Sequence, residues 1–247
     1  MRTLRRLQRT KGYLRKTPDK HGREIVKPFI KSDFDEMVRC CLNHRDKHDP
    51  NSWKFRVWYR NYILLILGVN TGNRIETLIE LTPRDIAGGQ YTCKEMKTGK
   101  VQQFNMNPDV YATVREYIER YNIQMNEYIF ESRQGLKGYP ITRQQAWRVI
   151  KQLAKEAGIE YPVACHSLRK SYGRWYWDST HDLLTTQKLL MHESAAETML
   201  YIMLEPSDIQ DVRESINHTE KWGIENKHSC MFQKQDKFIC ECNIRFL

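Results

Sequence analysis

Four residues in the last third of this 247-residue chain have types and spacings that suit chemistry on a phosphate ester. His166 and Arg169 stand three apart, His192 follows, and Tyr201 comes nine residues later. The pattern of CHSLRKSYGRWYW (165–177) predicts a helix starting near Ser167. It places His166 at the helix mouth and Arg169 in the first turn. Helix N-termini and arginine forks both favour phosphate oxygens, so the pair suits a phosphodiester. Tyr201 lies in TMLYIML (198–204), a predicted helix with Ser194 as its cap and apolar neighbours on most sides. Two readings fit a phenol there: a core residue whose hydroxyl finds a partner, or a nucleophile presented to the same phosphate.

The elements that must carry these groups follow from the pattern in chain order. Ser32-Asp33-Phe34-Asp35-Glu36 resembles a capping box and predicts a helix to about Asn43. Asp49-Pro50-Asn51 marks a turn, and Trp53 to Val69 reads as a long helix whose second half is apolar all round. Thr71-Gly72-Asn73 breaks that helix and is expected to cap the next. There Ile75, Leu78, Ile79 and Leu81 form the apolar face and Pro83 marks the end. Arg74 thus begins a buried helix, where a charge needs a partner. A salt bridge with Glu76 or Asp85 is one reading, a functional cation the other.

Residues 90–96 and 101–106 are strand-like runs around Lys97-Thr98-Gly99-Lys100, a hairpin whose two tip lysines equally suit a solvated surface. Asn107-Pro108 opens a helix to about Tyr121, and Thr142 to Ala157 is amphipathic and ends at Gly158. Further helices are expected near 167–178, 182–191 and 194–204, and another over Asp208 to Ile216. The whole reads as mainly α with a small antiparallel β-hairpin, an α+β fold.

Composition narrows the class of partner. The net charge is +10, but residues 1–27 hold ten Lys and Arg against Asp19 and Glu24. That arm carries +8 and leaves +2 for the other 220 residues. A basic arm on a near-neutral body is the electrostatic footprint of nucleic-acid binding. No apolar run approaches the ~20 residues of a membrane span, and the charged N-terminus lacks the apolar stretch of a signal peptide. Seven cysteines without a CxxC pair point to a reduced, intracellular protein working beside its DNA. His228, Cys230, Cys240 and Cys242 could ligate a metal, but their one-residue spacings are tighter than structural zinc pairs use, so free thiols are expected.

Together, Arg74, Lys97, His166, Arg169, His192 and Tyr201 are two arginines, a lysine, two histidines and a phenol. Two guanidiniums can clamp the oxygens of a phosphodiester while negative charge builds on them. A tyrosine can attack phosphorus, with histidine assisting proton movement and lysine protonating the leaving oxygen. Such a transesterification needs no ATP, metal or other cofactor. The chain has neither a GxxxxGK[ST] loop nor a convincing acidic metal cluster.

This ordered set resembles the tyrosine recombinase/integrase family over about residues 30–205. The blocks are TGNRIETLIELTPRDI (71–86), MKTGK (96–100), HSLRKSYG (166–173) and LLMHESAAETMLY (189–201). Each is weak alone, whereas four in order with matching spacing are specific. The resemblance implies Tyr201 as nucleophile, Arg74 and Arg169 on the scissile phosphate, and Lys97, rather than its rival Lys100, as general acid. It implies that His166 and His192 assist proton transfer and orient the phosphate.

Three departures stand out. Thr77 occupies the place of a common acidic residue, with Glu76 one position early, and Met191 replaces a common glycine. No usual core-binding domain is evident ahead of the catalytic region. Either the arm does a reduced version of that work, or the chain is a minimal or truncated member. The expected organisation is a basic arm (1–27), a catalytic domain (28–205) and a C-terminal tail (206–247) that contacts a neighbouring protomer. The expected function is site-specific exchange of double-stranded DNA through a 3′-phosphotyrosine intermediate, integrating or excising a mobile element such as a viral genome. A homotetramer on two DNA sites would carry it out. A type IB topoisomerase-like or resolving enzyme, and a non-catalytic DNA-binding derivative, remain alternatives.

Overall fold

The computed structural model describes residues 25–94, 99, 101–132, 138–204, 208, 210 and 213. Residues 1–24 of the arm, the hairpin-tip lysines Lys97 and Lys100, and nearly all of the tail, including its His and Cys pairs and all of the helix expected over 208–216 except helical Asp208, Gln210 and Arg213, lie outside them. The chain divides into two units, Met1–Glu205 and Pro206–Leu247. The elements named below all belong to the first.

Helix α1 (Lys31–Asp46) is not closed by the expected Ser32 capping box. Its N-cap is Ile30, which offers no side-chain cap. Tyr161 supplies the missing polar contacts from a distant part of the chain. Its hydroxyl accepts from the Ile30 N–H at 3.0 Å and donates to Asp33 at 3.2 Å. The preceding segment is held by long-range bonds as well. The Phe29 N–H donates to Ser171 Oγ at 2.7 Å, and Trp175 Nε1 donates to the Phe29 carbonyl at 3.0 Å.

Helix α2 (Trp53–Thr71) begins at Ser52, whose side chain accepts from the Phe55 N–H. Ile63, Leu64, Leu65 and Leu67 are fully buried, as an all-round apolar half requires, and the helix packs on α1, on α4 (Pro108–Arg120) and on α6 (Cys165–Thr180). It stops at Gly72, which is left-handed at φ 64° and lies so close to the Tyr172 ring that a Cβ would collide with it. Thr71 and Asn73 do not cap the next helix as expected. Thr71 Oγ1 bonds back to the Leu67 carbonyl at 2.8 Å, and the Asn73 amide donates to the Tyr91 hydroxyl. Arg74 itself is the N-cap of the short helix α3 (Ile75–Ile79).

A turn closed by Thr82 and Asp85 leads into β1 (Gln90–Lys94), which pairs antiparallel with β2 (Val101–Asn105), Gln90 opposite Asn105 and Lys94 opposite Val101. Tyr91 is fully buried and stacks on Phe104, fixing which face of this ribbon meets the helices. Asn107 and Thr142 cap α4 and α5 (Arg143–Glu156), the latter with Gln145 completing a capping box. Helix α6 starts two residues before the predicted Ser167, because Ser167 Oγ accepts from the Ala164 N–H and acts inside the first turn. Helices α7 (Leu183–Leu189) and α8 (Ala195–Tyr201) follow, α8 capped by Ser194 as expected. Gly173 lets them approach α6: a Cβ there would stand 2.7 Å from Leu190 and 3.1 Å from Ile202.

The architecture is therefore the mainly helical one with a two-stranded antiparallel ribbon that the sequence pattern predicts. Among the described residues no helix is long and apolar enough to cross a membrane, and no cluster of His, Cys, Asp and Glu could hold a metal.

Candidate active site

Arg169 is the fixed point of the site. It is the fifth residue of α6, in the second turn rather than the first as a start near Ser167 implied, and only 2% of it is exposed. Its guanidinium donates to the carbonyl of Gly72 at 2.8 Å and to that of Leu190 at 2.5 Å. Those carbonyls end α2 and α7, so one buried cation ties three helices together and satisfies backbone acceptors that helix termini leave open. Burial lowers the pKa of Arg169, while the Tyr201 phenol opposes that shift.

Arg74 reaches the same place from the N-cap of α3 and is half-buried. Its pKa is lowered first by burial and next by the charge of Arg169, with Tyr201, Glu197 and Glu76 opposing. Two like charges held near each other repel, and an anion between them would relieve that repulsion. The carboxylates near Arg74 in sequence each have another contact as well. Glu76 pairs with Arg143 at 3.2 Å, and Asp85 accepts from the N–H and hydroxyl of Thr82, both at 2.7 Å.

Tyr201 is the last residue of α8. Its hydroxyl oxygen is buried without an aligned hydrogen bond, yet it lies within electrostatic reach of both arginines. Burial raises the phenol pKa, and Arg169 and then Arg74 pull it back by favouring the phenolate. His192, between α7 and α8, packs edge-on against this ring, with centroids 4.9 Å apart and planes at 80°. Its side chain is 3% exposed. The His192 backbone N–H donates to the Gln187 carbonyl, and its own carbonyl accepts from the Gln187 side chain.

His166, the second residue of α6, is solvent-exposed. Nearby protein bulk lowers its pKa; Glu76 opposes this, while Arg143, Arg169 and Lys170 add to it. It stands at the rim rather than in the buried cluster. The structure thus gathers Arg74, Arg169, His192 and Tyr201 around one point, with His166 beside them. Lys97 lies outside the described residues.

Sequence reasoning passed over three contributors. Lys170, next to Arg169, is 8% exposed, and its ammonium lies 5.0 Å from the centroid of the Tyr201 ring. Burial, and then the charge of Lys27, push its pKa down to about 8. Its place inside HSLRKSYG was the only signal, and a lysine in a helix normally reads as surface. Thr198 is fully buried and meets His192 Nδ1 at 3.1 Å. Asn73, through Tyr91, connects the loop of Arg74 to the hairpin. Met191, where glycine was noted as common, is left-handed at φ 51°, a conformation costly for a residue with a Cβ.

Known proteins resemble this chain in sequence and in fold. The model of the Phage integrase family matches residues 19–207. A probable integrase/recombinase YoeC of Bacillus subtilis (strain 168) is 31% identical over 179 residues, 72% of this chain and 90% of that one. The tyrosine recombinase XerD of Halalkalibacterium halodurans is 29% identical over 188 residues, 72% of this chain but 58% of the relative, so the chain spans little more than half of that longer protein. Among solved structures, that of the XerA recombinase superposes with a TM-score of 0.60 at 19% identity, covering 82% of this chain and 67% of the other.

Proposed function

The chain belongs to the phage integrase family of tyrosine recombinases, and from that membership we propose that it cuts and rejoins double-stranded DNA at specific sites through a covalent 3′-phosphotyrosine. The observation that carries this reading is the buried Tyr201 hydroxyl held within reach of the two guanidiniums of Arg74 and Arg169.

In the proposed step the Tyr201 oxygen bonds to phosphorus, the bond from phosphorus to the 5′ oxygen breaks, and the freed 5′ oxygen takes a proton from Lys97. The tyrosine proton leaves by way of His192. Arg74 and Arg169 bind the two non-bridging oxygens, where charge builds in the pentavalent transition state. Arg169 is suited to this because its carbonyl contacts fix it before substrate arrives, so little reorganisation is needed during the reaction. His166, at the rim, helps orient the phosphate. A 5′ hydroxyl from a partner strand then attacks the phosphotyrosine and restores a phosphodiester. One phosphoester is exchanged for another at each stage, so bond energy is conserved and neither ATP nor another cofactor is required.

The biological setting that fits is integration or excision of a mobile element by a homotetramer on two DNA sites. The basic arm (1–27) would grip the duplex and residues 206–247 would contact a neighbouring protomer. Deleting 206–247 should then weaken assembly on DNA more than single-strand cleavage, and equal loss of both would count against that role.

The test of the chemistry is covalent trapping on labelled DNA from the element's own ends, nicked beside the presumed cut. A denaturant-resistant adduct with the native protein and none with Tyr201→Phe supports the reading. Absence of an adduct on every end tried would favour a non-catalytic DNA-binding derivative. Cleavage and resealing without strand exchange between two sites would favour a topoisomerase-like enzyme.

A further inference from the structure

Thr198 does not touch the reacting groups, yet its surroundings decide the protonation of one that does. Its hydroxyl oxygen lies 3.1 Å from the carbonyl oxygen of Ser194 and 3.1 Å from Nδ1 of His192. The hydroxyl has one proton to place between these neighbours. A carbonyl oxygen can only accept. If the proton pointed to Nδ1, two oxygens would face each other at 3.1 Å with nothing between them, in a residue that is fully buried. The arrangement that satisfies both contacts has Thr198 donating to Ser194 and accepting from Nδ1–H. The same carbonyl anchors the helix backbone, taking the Thr198 N–H at 3.2 Å, so this acceptor cannot drift away.

We infer that Thr198 is a positioning residue that holds His192 with its proton on Nδ1 and leaves Nε2 as the nitrogen that exchanges protons with the reacting groups. This rests on Tyr201 being the nucleophile for its catalytic meaning, though not for the tautomer itself. Neutral His192 can then only accept at Nε2, and it can donate to a phosphate oxygen only after taking up a proton there. The carboxylate of Glu197 lies 3.9 Å from Nε2. The imidazole is also pinned edge-on to the Tyr201 ring, so a hydroxyl that fixes its rotation fixes where Nε2 points.

The test is nitrogen NMR of the full chain with labelled histidine, on the native protein and on Thr198→Ser and Thr198→Val. Native protein and Thr198→Ser should show a pyrrole-type Nδ1 and a pyridine-type Nε2 for the neutral His192 ring. Thr198→Val should shift the ring toward the other tautomer and slow adduct formation on nicked DNA by roughly 10–100-fold, with Thr198→Ser recovering most of that loss. A pyridine-type Nδ1 in the native protein, or an unchanged tautomer in Thr198→Val, overturns the inference. If Thr198→Val does not fold, the native and Thr198→Ser spectra still decide. Failure of the native protein to form any adduct would sink the nucleophile reading while the spectra judged the tautomer separately.

Discussion

Replacing Lys170 with methionine should stabilise this protein, and should do so only below a definable pH. Lys170 is 8% exposed, and its burial and the neighbouring Lys27 depress its pKa from the ordinary 10.5 to about 8. At ~1.4 kcal/mol for each tenfold change in proton affinity, keeping the buried ammonium charged costs roughly 3 kcal/mol. Because the folded pKa lies below the unfolded one, the unfolded chain binds more protons between about pH 8 and 10.5. Native stability should therefore rise with pH across that window and be lost again as pH falls through about 8. Lys170→Met removes the cost. It also removes the cation from the face of the Tyr201 ring, a contact worth about 1 kcal/mol. The net expectation near pH 7 is a gain of about 2 kcal/mol. It should vanish only above about pH 10.5, and adduct formation should fall if Tyr201 is the nucleophile proposed above, because its ring is less firmly held. Urea unfolding of both proteins at the two pH values measures this. A variant less stable than the native protein near pH 7, with the same pH dependence, would refute the electrostatic account of this lysine.

Other substitutions probe the remaining supports. Arg169→Lys keeps the charge but cannot reach both the Gly72 and Leu190 carbonyls, so we expect about 2–4 kcal/mol less stability by urea unfolding. Its trapped adduct should drop by about 100-fold or more. Tyr91→Phe strips the Asn73 amide of its buried acceptor and should cost about 1–2 kcal/mol, read by the same unfolding assay. Met191→Gly relieves a left-handed residue at φ 51° and should raise stability by roughly 0.5–1 kcal/mol, visible as a higher unfolding midpoint.

Local pattern was enough to read most of the helices. The all-round apolar half of α2, the Asn107 and Ser194 caps and the ribbon on either side of Gly99 each depend on neighbours a few positions apart. The candidate site residues came from the ordered resemblance to a known family, and the structure brings Arg74, Arg169, His192 and Tyr201 together. What local pattern could not supply was the pairing of buried polar groups. The cap of α1 comes from Tyr161, 131 positions away from Ile30, and Arg169 finds its carbonyl at Gly72 across 97 positions. Glu76 pairs with Arg143 from another helix while its charge still acts on Arg74. Lys170 looks like any surface lysine until α6 is covered, and Thr198 looks like any helical threonine until His192 is laid against it. A side chain's local preference is set by its own backbone. Its charge, tautomer and partner are set by what excludes water from it, and those groups come together only when distant helices pack.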